Sequence, residues 1–419
     1  MRWFTLGTLV VALCRAATAR ADDCHERLQR ENLTRCVLAA SPELAAQARA
    51  VDAARARVTA ASPLLPNNPH ISASIARRRS SSEDATNWYL TLAQEIEVAG
   101  QRGLRTGVAQ SGFEAERLRG DSVRLDVLAL AWTAFFEALA ARDARELTSE
   151  LYDTTAIVAQ VARAKADEGL VAPVDADVAE AISLRVLLEL RAAERDAVSS
   201  RALLGALVGA GEEPAIDGQL APITMADRIA ADDAFATAQR RPDVLAAEAD
   251  ARTFTLEAQS LERARIPNPT VSVYAENDGF NEHVQGLGLS LPVPLPGNVG
   301  RTNVGEIAEA RALADKSKQN RERLARDARL AIVTQVATYR SLQSEASAFT
   351  PERLERTRHT LSAIADEVRS GRLAVRDAVL AQQTLVELLR NYVVTRRNLC
   401  VASVQLIRAA GGSLEEVTQ

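Results

Sequence analysis

Four cysteines and four histidines are the residues of this 419-residue chain best suited to metal or nucleophilic chemistry. His25, His70, His283 and His359 fall in an N-terminal segment, two strand regions and a helix, with no ligand spacing among them. A Cys24-His25-Cys36 metal site would lack a fourth ligand. No convergent set of His, Cys, Asp or Glu supports catalysis, so neither an enzyme nor a cofactor is expected. Cys400 lies in an apolar helical pattern, where a thiol behaves as a small buried hydrophobe.

How the other cysteines are read depends on where the chain goes. Arg2 precedes an apolar run from Trp3 to Leu13, and Ala19-Arg20-Ala21 supplies small residues at the spacing a signal peptidase reads. Residues 1–21 are therefore expected to be a leader, with the mature chain starting near Asp22. Leu13 stands where an acylation signal wants Gly, Ala or Ser, so Cys14 is not expected to carry lipid. In an oxidising compartment Cys24 and Cys36 are expected to pair, pinning the N-terminal segment. The net charge of −5 becomes more acidic once Arg2, Arg15 and Arg20 leave with the leader, which argues against nucleic-acid binding.

Aromatic residues make up only 4% of the chain while Ala, Leu and Arg dominate, a composition suited to long helices packed by small side chains. From Gly103 to about Asp167 the apolar residues recur at three- and four-residue spacing. They are Val123, Val127, Leu130, Ala134, Ala138 and Ala141, then Leu147, Leu151, Thr155, Val158 and Ala162. About 60 such residues make a rod of roughly 90 Å. A similar pattern runs from Ile307 through Leu324, Leu330, Val333, Val336 and Tyr339 to Leu342. Helices of this length indicate coiled-coil packing.

Four short stretches have period two instead. Ile71, Ala73 and Ile75 alternate with Ser72, Ser74 and Ala76; Trp88, Leu90, Leu92, Ile96 and Val98 alternate with Tyr89, Thr91, Glu95 and Glu97. Val271, Val273 and Ala275 are set against Ser272, Tyr274 and Glu276, and Leu287, Leu289, Leu291, Val293 and Leu295 against Gly286, Gly288 and Ser290. Polar connections from Arg77 to Asn87 and from Asn277 to His283 make each pair a hairpin. After the leader no run is long and apolar enough for a spanning helix, so any membrane crossing must use strands in a closed barrel. The apolar face, with Trp88, Leu90, Leu92, Leu287, Leu289 and Leu291, would then face the membrane. The smallest membrane barrels need about eight strands, so closure requires several copies; three copies, a homotrimer, are the natural count, although spacing alone leaves two or four open.

The chain is also internally duplicated. Ser41-Pro42-Glu43-Leu44 matches Arg241-Pro242-Asp243-Val244, and Asn68-Pro69 matches Asn268-Pro269. Gly100 pairs with Gly297, Gly169 with Gly371, Asp175 with Asp377 and Gly209 with Gly411. Each half reads helix, strand, loop, strand, long helix, turn, helix. The expected segments are a leader (1–21), a helical segment (22–66), a first hairpin (67–98), a first helical hairpin (99–209) and a linker (210–240). A helix (241–266), a second hairpin (267–296), a second helical hairpin (297–411) and a tail (412–419) follow.

This doubled plan, the Asn-Pro before strands one and three, and the turns Gly169-Leu170-Val171-Ala172-Pro173-Val174-Asp175 and Gly371-Arg372-Leu373-Ala374-Val375-Arg376-Asp377 resemble the outer membrane efflux protein family. These are the TolC-like exit ducts of Gram-negative bacteria. Gln94 to Arg102 and Leu291 to Pro296 look most like the heavy-metal branch, the cobalt-zinc-cadmium type. The resemblance implies a mainly α fold with a small β-barrel: twelve strands from three chains in the outer membrane, continued by a helical tunnel through the periplasm. It also implies a belt of small helices and strand-like segments, to which Ala210 to Arg240 and the helix restart at Thr350-Pro351-Glu352 fit.

The implied partners are outer-membrane lipid, a periplasmic membrane-fusion adaptor and, through it, an inner-membrane pump. The resemblance places adaptor docking at Gly169, Leu170 and Val171 and at Gly371, Arg372 and Leu373. It places a gate at Asp175 and Asp377, although Leu380 stands where a second acidic residue occurs in some members. Drug efflux and type I protein secretion use the same fold. A soluble periplasmic coiled-coil scaffold is the alternative of another class, and would leave the membrane without detergent.

Overall fold

The computed structural model describes residues 24, 27–79, 84–210, 213–277, 282–293, 295, 297, 300 and 302–415. The leader at 1–21, with Cys14, and His25 lie outside the described residues. In chain order the elements are β1 (Arg27–Leu28), α1 (Arg30–Ala40), α2 (Pro42–Ala61), β2 (His70–Arg79), β3 (Asp84–Glu95), α3 (Gln101–Asp167) and α4 (Pro173–Leu207). Next come β4 (Ala215–Ile216), a 3-10 turn (Thr224–Arg228), α5 (Ala234–Gln239), α6 (Pro242–Arg263), β5 (Thr270–Asn277) and β6 (His283–Ser290). The chain ends with α7 (Val304–Ala346), α8 (Pro351–Arg369) and α9 (Val375–Ala410). The chain divides into two compact units, one of residues up to Ala45, Ser122–Ala238 and from Asp327 on, the other of Ala46–Asp121 and Gln239–Arg326.

The second unit holds a four-stranded antiparallel sheet in the order β2-β3-β5-β6. Two hairpins from distant parts of the chain are thus joined through β3 and β5, with Leu92 opposite Val273 and Leu90 opposite Ala275. Glu95 gathers the ends of both: Asn67 and Asn268 each donate a side-chain N–H to its carboxylate, at 2.9 and 2.8 Å. Gln101, in the first turn of α3, donates to Asn268 at 2.8 Å. Below the sheet the helices pack on small residues, with Ala115, Leu118, Ala246 and Ala249 buried together. The Ser111 hydroxyl donates to the Ala249 carbonyl at 2.9 Å.

The core of the first unit centres on Trp132, Phe135 and Phe136 of α3, all fully buried, with ring centroids 5.7 to 6.0 Å apart. Between Leu128 and Ala140 this helix is buried nearly all round. The expected stripe is therefore displaced there, and Leu130 is 55% exposed. On α7, Leu330 and Val333 likewise face outward while Ile332, Val336 and Tyr339 are buried. The N-terminal segment is fixed to this core by a Cys24–Cys36 disulfide with 5.6 Å between Cα atoms. β1 lies parallel to β4, and Arg27 pairs with Asp217 at 2.6 Å. Leu414, in the segment read as a tail, is fully buried. Thr350 caps α8 by accepting the Arg353 N–H at 3.3 Å, with Pro351 in the first turn.

Candidate functional site

Strand alternation sorts the sheet into two faces. One carries Ile71 and Ile75, Trp88, Leu90 and Leu92, Val271 and Val273, and Leu287 and Leu289, all among the exposed large apolar residues. Pairing aligns them in rows, such as Ile71, Leu92, Val273 and Leu287. Leu291 falls just past the end of β6 and is 57% exposed. The opposite face carries Ser72, Ser74, Tyr89, Thr91, Ser272, Tyr274, Gly286 and Gly288. Tyr89 and Tyr274 stack at 5.8 Å between centroids, and a Cβ on Gly286 would come within 2.4 Å of the Tyr274 ring. Those two glycines leave room for the side chains of the neighbouring strand. His283, placed in a loop by its polar surroundings, is the first residue of β6 opposite Asn277.

The two helix-to-helix turns share one backbone design. After α3, the Gly169 N–H reaches the Ala166 carbonyl at 3.0 Å and the Leu170 N–H the Lys165 carbonyl at 2.8 Å. After α8, the Gly371 N–H reaches the Val368 carbonyl at 3.2 Å and the Arg372 N–H the Glu367 carbonyl at 3.0 Å. Both are Schellman closures, which require a left-handed residue, and Gly169 and Gly371 stand at φ 72° and 77°. The residues after them divide alike: Leu170 and Arg372 are exposed, whereas Val171 and Leu373 pack against a core shared by α3, α4, α8 and α9. The turns are tied directly, because the Lys165 ammonium donates to the Val368 carbonyl at 2.5 Å.

The middle positions differ in chemistry. Leu170 offers an exposed apolar side chain, while Arg372 is held by Glu367 in a two-pronged ion pair at 2.6 and 2.7 Å. The Arg372 guanidinium holds the Glu367 carboxyl below the usual carboxylate range. Asp175 and Asp377 sit in the first turns of α4 and α9, where an anion is favoured by the helix dipole. Just above the first turn Arg163 bridges to Glu180 and Asp177 on α4 at 2.6 and 2.7 Å, lowering the Glu180 pKa. A groove of about 580 Å³ lies there, lined by Tyr152, Gln160, Arg163, Glu180 and Leu184.

Sequence reading missed Lys165, Glu367 and the Arg163 cluster, since each acts through a partner on another helix or turn. Among the described residues no three His, Cys, Asp or Glu side chains converge as a metal site. Cys400 is fully buried and burial pushes its thiol up to about 12, so it is chemically quiet.

A sheet with one lipid-like face, joined in one chain to duplicated helical hairpins, defines an outer-membrane channel subunit. Residues 33–210 match the family model for outer membrane efflux proteins. The cobalt-zinc-cadmium resistance protein CzcC of Cupriavidus metallidurans is 27% identical over 326 residues, covering 76% of this chain and 75% of CzcC. The nickel-cobalt-cadmium resistance protein NccC of Alcaligenes xylosoxydans xylosoxydans is 28% identical over 305 residues, covering 72% of this chain and 68% of NccC. The solved structure of CusC, described for its transmembrane channel formation, has the same fold, with a TM-score of 0.75 at 15% identity over 92% of both chains.

Proposed function

We propose that three copies of this chain close their sheets into one twelve-stranded outer-membrane barrel, forming a passive exit duct for heavy-metal cations. The observation that carries this reading is the sheet itself. It exposes apolar side chains on one face and small or polar ones on the other, and β2 and β6 are its edges. In lipid an open edge leaves backbone groups without partners, so edges of neighbouring copies must pair.

The tips at Gly169, Leu170 and Val171 and at Gly371, Arg372 and Leu373 dock on a membrane-fusion adaptor, which links the duct to an inner-membrane pump that supplies the energy. An exposed leucine and a guanidinium held in place by its own turn are suitable contacts for a protein partner. Asp175 and Asp377, brought together in three copies, concentrate cations at the tunnel mouth. The metal cargo rests on likeness to CzcC and NccC.

The test is a deletion strain challenged with divalent metals, dyes and detergents and complemented with the intact gene. Selective loss of zinc, cobalt, cadmium or nickel tolerance is expected. Sensitivity to dyes and detergents with normal metal tolerance would make the cargo organic, and release of the chain from membranes by carbonate alone would sink the duct.

A further inference from the structure

The outer end of the first hairpin carries charge on the face that is apolar along the rest of its length. On β2 the residues Ile71, Ala73, Ile75, Arg77 and Arg79 point the same way by strand alternation. At about 3.3 Å per residue, Arg77 stands about 7 Å and Arg79 about 13 Å beyond Ile75. The row at Ile75 also contains Trp88, Asn277 and His283. The apolar surface thus gives way to polar side chains over successive rows, at Gln285 on β6, at Asn277 on β5, and at Thr86 and Arg77 on β3 and β2, with the Trp88 indole at the boundary, as at the edge of a membrane barrel.

Beyond that level Arg77 and Arg79 pair across the hairpin with Thr86 and Asp84. Their side chains are 64% and 75% exposed, and both turn to the same carboxylate, Asp84, at 2.8 and 3.9 Å. Two guanidiniums facing one carboxylate leave this face net positive, although the protein as a whole is acidic. A single arginine would suffice to brace the hairpin against Asp84. The second places a planar, permanently charged donor directly above an apolar band, which is the arrangement that meets a phosphate joined to acyl chains.

We propose that Arg77 and Arg79 form an interfacial site for phosphate-bearing lipid headgroups of the outer leaflet, with Trp88 and Ile75 against the adjoining acyl chains. The proposal rests on the reading of this face as lipid-facing. A soluble anion would use only the two guanidiniums; the continuity with Ile71, Ile75, Leu90 and Leu92 favours a lipid.

The experiment compares the detergent-purified full-length protein and variants for binding to vesicles containing bis-phosphorylated lipid A, to the same vesicles with the phosphates removed, and to inorganic phosphate. The double variant R77Q/R79Q is expected to bind lipid A vesicles about twenty-five-fold more weakly, at about fivefold per guanidinium. Arg78→Gln, on the opposite face of β2, should leave binding unchanged, and Asp84→Asn should strengthen it. Should R77Q/R79Q yield no folded protein, the D84N and dephosphorylated-lipid arms still decide. Equal binding by native protein and R77Q/R79Q, or indifference to the lipid phosphates, would overturn the proposal. Competition by inorganic phosphate as effective as that by lipid A would make this a free-anion site, also overturning it. Metal export measured in the same variants is expected to persist, so a failure of the duct reading would show in the export assay and not in lipid binding.

Discussion

The ammonium of Lys165, in the last turn of α3, donates to the backbone carbonyl of Val368, in the last turn of α8, at 2.5 Å. It thereby caps the negative end of a helix dipole belonging to the other repeat and ties the two tip turns together. Lys165→Met keeps an unbranched side chain one atom shorter and removes the charge and the donor. The expected loss is about 1 kcal/mol in local stability. It would appear as roughly fivefold faster hydrogen exchange at the backbone amides of Ser370 and Gly371, with the strand amides unchanged.

Substitution at the tips should separate assembly from export. A Cβ on Gly169 meets nothing within 4 Å, so Gly169→Val costs only the left-handed backbone, about 1 to 2 kcal/mol. Arg372→Glu puts a second carboxylate beside Glu367. Both variants should reach the membrane as native oligomers yet fail to export. Export by both at native rates would show that the adaptor does not dock at these turns.

The Glu367–Arg372 pair predicts a pH dependence whose sign is fixed. A carboxyl held below its ordinary value stabilises the folded turn above the unfolded carboxylate range, and loses that contribution as pH falls through the lowered pKa. The melting difference between native protein and Glu367→Gln should be present at neutral pH and vanish on acidification. A difference that grew as pH fell would contradict the assignment.

Reduction, or the double change Cys24→Ser and Cys36→Ser, should cost about 2 to 3 kcal/mol, the scale expected for a short closed loop. β1 has only two residues on β4, so the segment before α1 should become protease-sensitive while α9 stays protected.

Gly286→Ala should push the Tyr274 ring off its seat, lowering the melting temperature of the assembled protein. In a Tyr274→Ala background the same glycine change should cost less. Additive effects in that cycle would mean that the ring does not rest on Gly286.

Much of this was legible in the sequence. The four strands announced themselves through alternation, because an exposed face imposes a simple period, and both tip turns through the repeated glycines Gly169 and Gly371. The buried stretch of α3 did not: where Leu128, Ala129, Ala131, Trp132, Ala134 and Phe135 are all buried, a helix has no polar side and its stripe disappears. The pairing of β3 with β5 and the bond from Lys165 to Val368 join residues far apart in sequence, and no local pattern encodes them. Glu95 stood within a motif linked to the heavy-metal branch by likeness, but its role in gathering Asn67 and Asn268 required coordinates.

The two tip turns are closed by main-chain hydrogen bonds and a left-handed glycine, so the backbone closure itself does not depend on which side chain follows the glycine. One repeat has leucine there and the other arginine. Duplication has thus given the chain two copies of one backbone turn, each able to present a different side chain after its glycine. On the proposed docking, one turn can be retuned by inheritance while the other preserves the existing contact.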